Sequence, residues 1–389
     1  MVKTTFVNRN HTGRGCLSVL PEEVGRLGIK KVLILTDPFL KQNGTAARIA
    51  DLLSPLGVES VIHDEVIAEP PLAAGEALVD FTRAQKVDGV IGLGGGSAMD
   101  LAKLAAVFAE QDGRVADYLN LSGSRTLTTR GLPKIMIPTT SGTGSEVTNI
   151  SVLSLETTKD VIAHDFLLAD VAIVDPDLTL SVPPKVTAAT GIDALTHAVE
   201  SYVSVNANPI TEGLSLQAIR LIADSLRSAV HDGGNIQARE DMSYGSYLAG
   251  IAFFNAGVAG VHALAYPLGG QFHISHGESN AVLLPYVMGY IRPACEKKLK
   301  DIYEAMGYSA AQLSQEEAAK RCVAALGQLA QDVGIPASLQ DFSIPEEALT
   351  SLTADGCKQT RLLARSPMPL QEADIAAIYR AAWEGKYFS

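Results

Sequence analysis

The sequence is poor in cysteine, with only four in 389 residues. They stand far apart, at Cys16, Cys295, Cys322 and Cys357, and no two of them have the Cys-x-x-Cys spacing. Disulfide frameworks and thiolate metal sites both depend on many or closely spaced cysteines. The sequence therefore predicts neither of these features.

Positive charge is also scarce. The chain has 31 lysines and arginines against 43 aspartates and glutamates, which gives a net charge of −12. Because nucleic acids and anionic membranes attract basic proteins, we expect neither as a partner. The first ten residues, MVKTTFVNRN, lack the apolar core of a signal peptide, and we expect a cytoplasmic protein.

One stretch, residues 247–270, has the length and apolar character of a membrane span. It also contains Asn255, His262, Pro267 and several glycines, and no basic cluster flanks it. A pair of buried helices that pack through small residues explains this composition better. We therefore expect no membrane span.

The first 180 residues alternate short apolar runs with helical patterns, which predicts a parallel sheet covered by helices on both faces. The predicted strands are residues 31–36, 58–66, 89–94, 134–140 and 171–176. The predicted helices between them are residues 45–53, 72–85 and 98–110. We assign residues 1–180 to one α/β domain, since a chain of this length usually forms two domains.

The pattern changes after the segment Ser181-Val182-Pro183-Pro184. Proline is favoured in the first turn of a helix, so we expect a helix from there to about residue 203. Helical periodicity continues over residues 210–230, 238–254, 293–306, 314–333 and 371–383, and no alternating strand pattern interrupts it. Residues 181–389 are therefore predicted to form an all-helical domain.

Asp193 and His197 are four residues apart in this predicted helix, so both side chains project from one face. His262 and His276 bracket a later segment. One carboxylate and three imidazoles make a full ligand set for Fe²⁺ or Zn²⁺, with room for a substrate oxygen. For the first pair alone, a core histidine beside an ordinary carboxylate is the alternative.

Two polar, glycine-rich loops follow predicted strands, at residues 94–97 and 138–146. The first precedes a helix, whose free N–H groups favour a pyrophosphate, although Ser97 could merely cap that helix. Two such loops on successive strands favour a dinucleotide site, because open α/β sheets bind ligands at the carboxyl ends of strands. Asp37 follows the first clear strand, where it could bind an adenosine ribose or simply open a turn.

Together these segments resemble the iron-containing (group III) alcohol dehydrogenases. The matching motifs are GGGSAMDLAK (94–103), PTTSGTGSEVT (138–148), DVAIVDPDLT (170–179), TAATGIDALTHAVESY (187–202) and NAGVAGVHALAYPLGG with HGESNAVLLP (255–285). The resemblance covers nearly the whole chain. It implies an α/β dinucleotide-binding domain with a parallel sheet, followed by an all-α metal-binding domain, as in dehydroquinate synthase.

The resemblance also implies roles for individual residues. The metal ligands would be Asp193, His197, His262 and His276. The cofactor contacts would be Asp37, Gly95, Gly96, Ser97, Asp100, Thr139, Thr140, Thr143, Thr148 and Lys159. The family keeps the position of Lys159 only loosely, so a solvated surface lysine is the alternative there.

The chain departs from the family at Tyr266, where many members have a histidine that is linked with proton handling. Another group must then move the alcohol proton. We expect His273 to be the relay, because imidazoles titrate near neutral pH, and Tyr266 to be a hydrogen-bonding link. A surface or structural histidine is the alternative for His273.

These implications lead us to expect an NAD(H)-dependent oxidoreductase that interconverts a small primary alcohol and its aldehyde. Its metal would be Fe²⁺, with Zn²⁺ also suited to the ligands, and the family pattern implies a homodimer. A metal- and NAD-dependent lyase of the dehydroquinate-synthase type would need several cationic residues beside the ligand motifs, which have none. A non-catalytic nucleotide-binding scaffold would not need the intact ligand set.

Overall fold

The computed structural model describes residues 3–156 and 158–388. Their contacts divide them into two compact units. The sheet unit comprises residues 6–140 and 144–179, and the helical unit comprises the described residues 3–5, 141–143 and 180–388.

The sheet unit contains a parallel sheet of six strands in the order β1-β8-β5-β4-β2-β3, and an antiparallel hairpin of β6 and β7. The strands are β1 (Arg9–Thr12), β2 (Lys31–Leu35), β3 (Glu59–His63), β4 (Gly89–Gly94), β5 (Lys134–Pro138), β6 (Ile150–Ser154), β7 (Lys159–Ala163) and β8 (Val171–Val174). The helices of this unit are α1 (Leu20–Leu27), α2 (Pro38–Gln42), α3 (Thr45–Leu53), α4 (Leu72–Gln85) and α5 (Gly96–Phe108).

The central strands are continuous apolar runs because both faces of the sheet are covered. Every residue of β4, β5 and β8 is buried. Gly92 of β4 permits a close approach of α5: a Cβ atom there would lie 2.8 Å from both the Ala102 Cβ and the Met136 Sδ atoms. Helix α5 begins at Gly96, two residues after β4 ends, and packs directly against that strand.

All five predicted strands are confirmed, with ends that differ by up to three residues, and helices α3 and α4 have the predicted bounds. Three strands were missed. Strand β1 is polar in sequence, and it is stabilised by the buried Glu23 carboxylate, which pairs with Arg9 and His11 at 2.7 and 2.8 Å. The hairpin of β6 and β7 joins two short polar strands whose periodicity is weak.

The helical unit, as far as the structure describes it, has no strand and ten helices. They are α6 (Pro184–Val203), α7 (Pro209–His231), α8 (Ile236–Ala256), α9 (Gly260–Phe272), α10 (His276–Ile291), α11 (Glu296–Ala305), α12 (Gln315–Asp332), α13 (Ala348–Cys357), α14 (Thr360–Leu363) and α15 (Glu372–Glu384). The predicted helices are confirmed, except that residues 292–294 form a separate 3-10 turn.

The apolar stretch at residues 247–270 forms parts of α8 and α9, as the predicted pair of helices requires. Among the described residues, no single helix is long and apolar enough to cross a membrane. Helices α8 and α9 reach that length and apolarity only as a pair, and they are bent by 104° at the break between them.

Helices α6 and α10 cross at very short range. A Cβ atom on Gly277, the second residue of α10, would lie 2.4 Å from the Ala189 carbonyl oxygen of α6. Real Cβ atoms do not approach an oxygen so closely, so only glycine fits at this crossing. The contact places His276 beside the part of α6 that carries Asp193 and His197.

Candidate functional site

Four side chains predicted as metal ligands lie together in the helical unit. One ligand atom each from Asp193, His197, His262 and His276 lies within 4.8 Å of the others. The Asp193 Oδ1 atom is 4.0, 3.8 and 3.7 Å from the Nε2 atoms of His197, His262 and His276, respectively. Two atoms that each bind one ion at about 2.1 Å stand about 3 to 4 Å apart, so the spacing suits a shared ion.

Hydrogen bonds from the protein orient two of the imidazoles. The His262 Nδ1 atom is 2.6 Å from Oε2 of Glu200, a fully buried carboxylate that also accepts from the Val261 amide at 2.7 Å. The His197 Nδ1 atom donates to the Gly142 carbonyl oxygen at 3.2 Å. Because both Nδ1 atoms serve as donors, both Nε2 atoms keep a lone pair directed at the cluster.

The charge states also suit a cation. Burial lowers the pKa of His197 to about 4, so its imidazole is neutral at neutral pH. Burial alone would raise the pKa of Asp193, but electrostatic interaction with His197, His276 and His262 lowers it below the ordinary value. An ionised carboxylate and a neutral imidazole are the forms that bind metal. The donor set therefore fits Fe²⁺ or Zn²⁺.

The cluster is closed on most sides by its neighbours. The Phe253 ring stacks on His197, with 4.3 Å between ring centroids and 18° between planes. The side chains of Asp193 and His262 are each 3 % exposed, whereas that of His276 is 29 % exposed. A small molecule therefore has its access on the side of His276.

A fifth side chain, Asn280, lies in the cluster and was not predicted. Its amide nitrogen is 2.7 Å from Asp193 Oδ1 and 3.2 Å from the Nε2 atoms of both His262 and His276. The signal for it was present in the sequence, since Asn280 follows His276 by four residues on α10 and so shares its helix face.

The two residues predicted for proton transfer differ in position. Tyr266 is buried, and its ring centroid is 6.0 Å from that of His276. His273 is exposed at the end of α9, in a left-handed backbone conformation with φ of 55°. Tyr266 therefore lies beside the cluster, and His273 lies at the surface.

In the sheet unit, the two glycine-rich loops are joined at their strand ends. The Thr139 amide donates to the Gly94 carbonyl oxygen at 2.9 Å, and a Cβ atom on Gly95 would lie 3.4 Å from Thr140 Oγ1. Helix α5 begins at Gly96 and its cap is Gly95, so Ser97 lies in the first turn. The interpretation of Ser97 as a mere helix cap is therefore wrong, and its Oγ atom accepts from the Glu69 amide at 3.1 Å.

The two carboxylate oxygens of Asp37 have different surroundings, one suited to a structural role and the other to a binding role. Its Oδ1 atom accepts from the Leu40 amide at 2.9 Å and caps α2, as the turn-opening alternative required. Its Oδ2 atom lies 3.7 Å from the Cβ position of Gly94, at the start of the first glycine-rich loop. One carboxylate oxygen caps the helix, and the other faces the loop.

Two residues predicted to contact the cofactor have side chains that bind a buried lysine. The fully buried Lys103 donates to Asp100 Oδ1 at 3.2 Å, Ser145 Oγ at 2.7 Å and Thr148 Oγ1 at 3.1 Å. The other Asp100 oxygen accepts from the Val152 amide at 2.9 Å. Asp100 and Thr148 are thus bound within the protein beneath the loops.

The remaining two predicted cofactor contacts also have defined places. Lys159 is buried and pairs with Glu69 at 2.9 Å, so the alternative of a solvated lysine is wrong. Thr143 belongs by its contacts to the helical unit, in the segment Ser141–Thr143.

Comparison with known proteins identifies the family. Residues 8–176 match the family model described as iron-containing alcohol dehydrogenase, and residues 187–383 match the carboxyl-terminal model of the same family. The chain belongs to the iron-containing alcohol dehydrogenase family. The predicted resemblance is therefore confirmed.

Individual relatives of the chain are named as alcohol dehydrogenases, in agreement with this family. Long-chain-alcohol dehydrogenase 1 of Geobacillus thermodenitrificans is 64% identical over 385 residues, which cover 99% of this chain and 98% of the relative. The 1,3-propanediol dehydrogenase of Klebsiella pneumoniae is 41% identical, with 97% of each chain covered.

Solved structures support the same fold. A crystal structure of 1,3-propanediol oxidoreductase has a TM-score of 0.94 at 40% identity, and covers 98% of this chain and 100% of that chain. A sulfoacetaldehyde reductase from Bifidobacterium kashiwanohense in complex with NAD⁺ has a TM-score of 0.89 at 29% identity, with 98% of each chain covered. The predicted fold class is confirmed, and the chain is an enzyme, an alcohol dehydrogenase. The lyase and scaffold alternatives are not favoured.

We expect Glu200→Gln to weaken metal binding about 10- to 100-fold, because a neutral amide orients and polarises the His262 ring less well than a carboxylate. The size of the side chain is unchanged, so the fold should persist. Titration of bound Fe²⁺ or Zn²⁺ with a chelator would measure the affinity. Glu212→Gln is the control, since Glu212 pairs with Lys298 and is partly exposed. Equal metal affinity in both variants would contradict the role of Glu200.

Proposed function

We propose that this protein interconverts primary alcohols and aldehydes with NAD(H), using a divalent iron held by Asp193, His197, His262 and His276. The observation that carries the proposal is the cluster itself: an ionised carboxylate and three imidazoles whose ligand atoms lie within 4.8 Å of one another. Zn²⁺ would suit the same donors, and the family to which the chain belongs favours iron.

A divalent ion in this site would supply Lewis-acid chemistry, which lowers the pKa of an alcohol hydroxyl and polarises an aldehyde carbonyl. The protein side chains supply the rest. Asp193 contributes a negative charge that offsets part of the charge of the ion, and Glu200 and Gly142 hold two imidazoles in the binding tautomer. Phe253 covers one face of His197 and excludes water from it.

For NAD(H), we propose the loops of the sheet unit. Gly95, Gly96, Ser97, Thr139 and Thr140 would hold the pyrophosphate at the amino terminus of α5, where free N–H groups favour an anion. Direct contacts from Thr143 and Lys159 stay predictions. Asp100 and Thr148 would act through Lys103, which binds both.

This division assigns NAD(H) binding to residues 1–180 and metal binding to residues 181–389. The family resemblance supports a homodimer, and the predicted cytoplasmic location stays a prediction. The relatives are named for alcohols of different length, including long-chain alcohols and 1,3-propanediol. We propose that the substrate is a primary alcohol with an alkyl chain, and that the accepted length extends beyond the small alcohols predicted from the sequence.

The proposal is tested by NADH consumption over a series of straight-chain aldehydes, from two carbons to twelve, with and without added Fe²⁺. We expect turnover that requires the metal. His276→Ala and His262→Ala should each lose the metal and the activity while the sheet unit stays folded, because each removes one of four ligands. Full metal occupancy and normal turnover in either variant would refute the assignment of the site.

We expect the enzyme to prefer NAD⁺ over NADP⁺, because a 2′-phosphate would meet the carboxylate of Asp37. Like charges in contact cost several kcal/mol in a partly desolvated site. Asp37→Gly should reduce the preference for NAD⁺ over NADP⁺, mainly through a lower KM for NADP⁺. It should also lower the stability of the folded protein, because the cap of α2 is lost. Asp51→Gly, on the exposed side of α3, is the control. Equal use of both cofactors by the unmodified enzyme would show that Asp37 does not face the ribose.

Proton transfer through His273, with Tyr266 as a hydrogen-bonding link, stays a proposal that is supported by the general acid–base chemistry of imidazole. His273→Asn should lower kcat about 10²-fold and keep the metal bound, in line with the loss of a general base. It should also change the dependence of kcat on pH near neutrality. His231→Asn, which alters a histidine that bonds the Asp332 carbonyl oxygen, is the control. Unchanged kcat and pH dependence in His273→Asn would assign the proton to another group.

A further inference from the structure

The amide of Asn280 lies within hydrogen-bond distance of three proposed ligand atoms. Its nitrogen is 2.7 Å from Asp193 Oδ1 and 3.2 Å from each of two Nε2 atoms, whereas Asp193 Oδ1 is at least 3.7 Å from the Nε2 atoms of the three imidazoles. The residue is fully buried. A single amide therefore contacts ligand atoms from three different helices.

The orientation of this amide follows from the chemistry of its neighbours. The Asn280 amide nitrogen is 2.7 Å from Asp193 Oδ1, and a carboxylate in the form that binds a metal ion accepts hydrogen bonds but cannot donate them. The amide oxygen would be repelled at 2.7 Å from the carboxylate oxygen, so the nitrogen must face Asp193. In this orientation the Asn280 oxygen is buried and has no hydrogen-bond partner among the described residues.

Only one of the three contacts is compatible with a bound ion. Each Nε2 atom has a single lone pair, which an ion would occupy, so the two imidazoles could no longer accept from Asn280. A carboxylate oxygen has more than one lone pair and can bind an ion and accept a hydrogen bond together. The bond from Asn280 to Asp193 is therefore the one that persists when the site is filled.

The unpaired oxygen makes asparagine a costly residue at this position. A buried polar atom without a partner destabilises the folded protein, and an apolar residue of similar size would avoid that cost. The benefit must then come from the amide nitrogen, whose strongest contact is with Asp193.

We propose that Asn280 is a positioning residue of the metal centre: its amide holds the Asp193 carboxylate in the orientation that binds the ion, and so sets how tightly the ion is retained. The inference rests on the proposed function, since it takes the cluster to be a metal site. It adds a residue that acts on the ion through Asp193.

The test compares the unmodified enzyme with Asn280→Leu, which keeps the volume but removes the donor, and with Asn280→Ala. Co²⁺ is the probe, because its d–d absorption reports the number and arrangement of its ligands. Competition with a chelator gives the dissociation constant. We expect both variants to bind Co²⁺ about 10- to 100-fold more weakly, with band intensities that keep the same coordination number. Their melting temperatures without metal serve as the check of folding.

Asn208→Ala is the matched control. Asn208 caps α7 through the amides of Ile210 and Thr211, so its loss weakens a helix of the same unit. We expect this control to lower the melting temperature and leave the Co²⁺ affinity unchanged. Loss of affinity in the control to the same degree would show that general destabilisation releases the metal, and it would overturn the inference.

Two further results would overturn the inference for Asn280 alone. One is unchanged Co²⁺ affinity in both Asn280 variants, and the other is a spectrum that shows one ligand fewer, which would make Asn280 a direct ligand. Failure of the unmodified enzyme to bind either Co²⁺ or Fe²⁺ would instead refute the proposed function, and the inference with it. The outcomes are therefore distinguishable.

Discussion

The proposed metal site in the helical unit depends on the buried carboxylate of Asp193. Asp193 is ionised in a place where almost no water reaches it, and an isolated carboxylate there would be strongly destabilising. Three imidazoles and one amide surround it instead, and they come from α6, α9 and α10. A divalent cation at the centre would offset the remaining charge. The packing of these three helices, including the glycine at the crossing of α6 and α10, is what brings the groups together.

The groups around the cluster restrict each ligand before any ion arrives. Glu200 and the Gly142 carbonyl fix two imidazole tautomers, and Asn280 bonds to the carboxylate. Ordering these side chains costs conformational entropy, and this loss occurs during folding and not during metal binding. An ion that enters then needs little rearrangement of the protein, which favours tight and specific binding.

Local periodicity was sufficient to predict part of this site from sequence. Asp193 and His197 share a helix face, which their spacing shows directly. His262 and His276 are distant in sequence and no local periodicity joins them to the first pair; their residue type suggested the full ligand set, and the resemblance to a family supported it. Asn280 was missed because neutral amides are less conspicuous than charged ligands, although its spacing from His276 is the same as that within the first pair. Strand β1 was missed because side-chain contacts with the buried Glu23 stabilise it, and no local pattern reports those.

The sheet unit also contains a buried ionisable side chain, and this one is a lysine. Lys103 is fully buried, and burial lowers its pKa, while Asp100 beside it raises that pKa in part. Removing either charge of such a buried ion pair typically costs about 3 to 5 kcal/mol, so Lys103 and Asp100 hold each other in place, and Lys103 also binds Thr148. The pair joins α5, which begins at the first glycine-rich loop, to the residues that follow the second. A sequence motif does not distinguish a residue that contacts a cofactor from a residue that holds the cofactor-binding loop in place. For Asp100, the hydrogen bonds favour the second role.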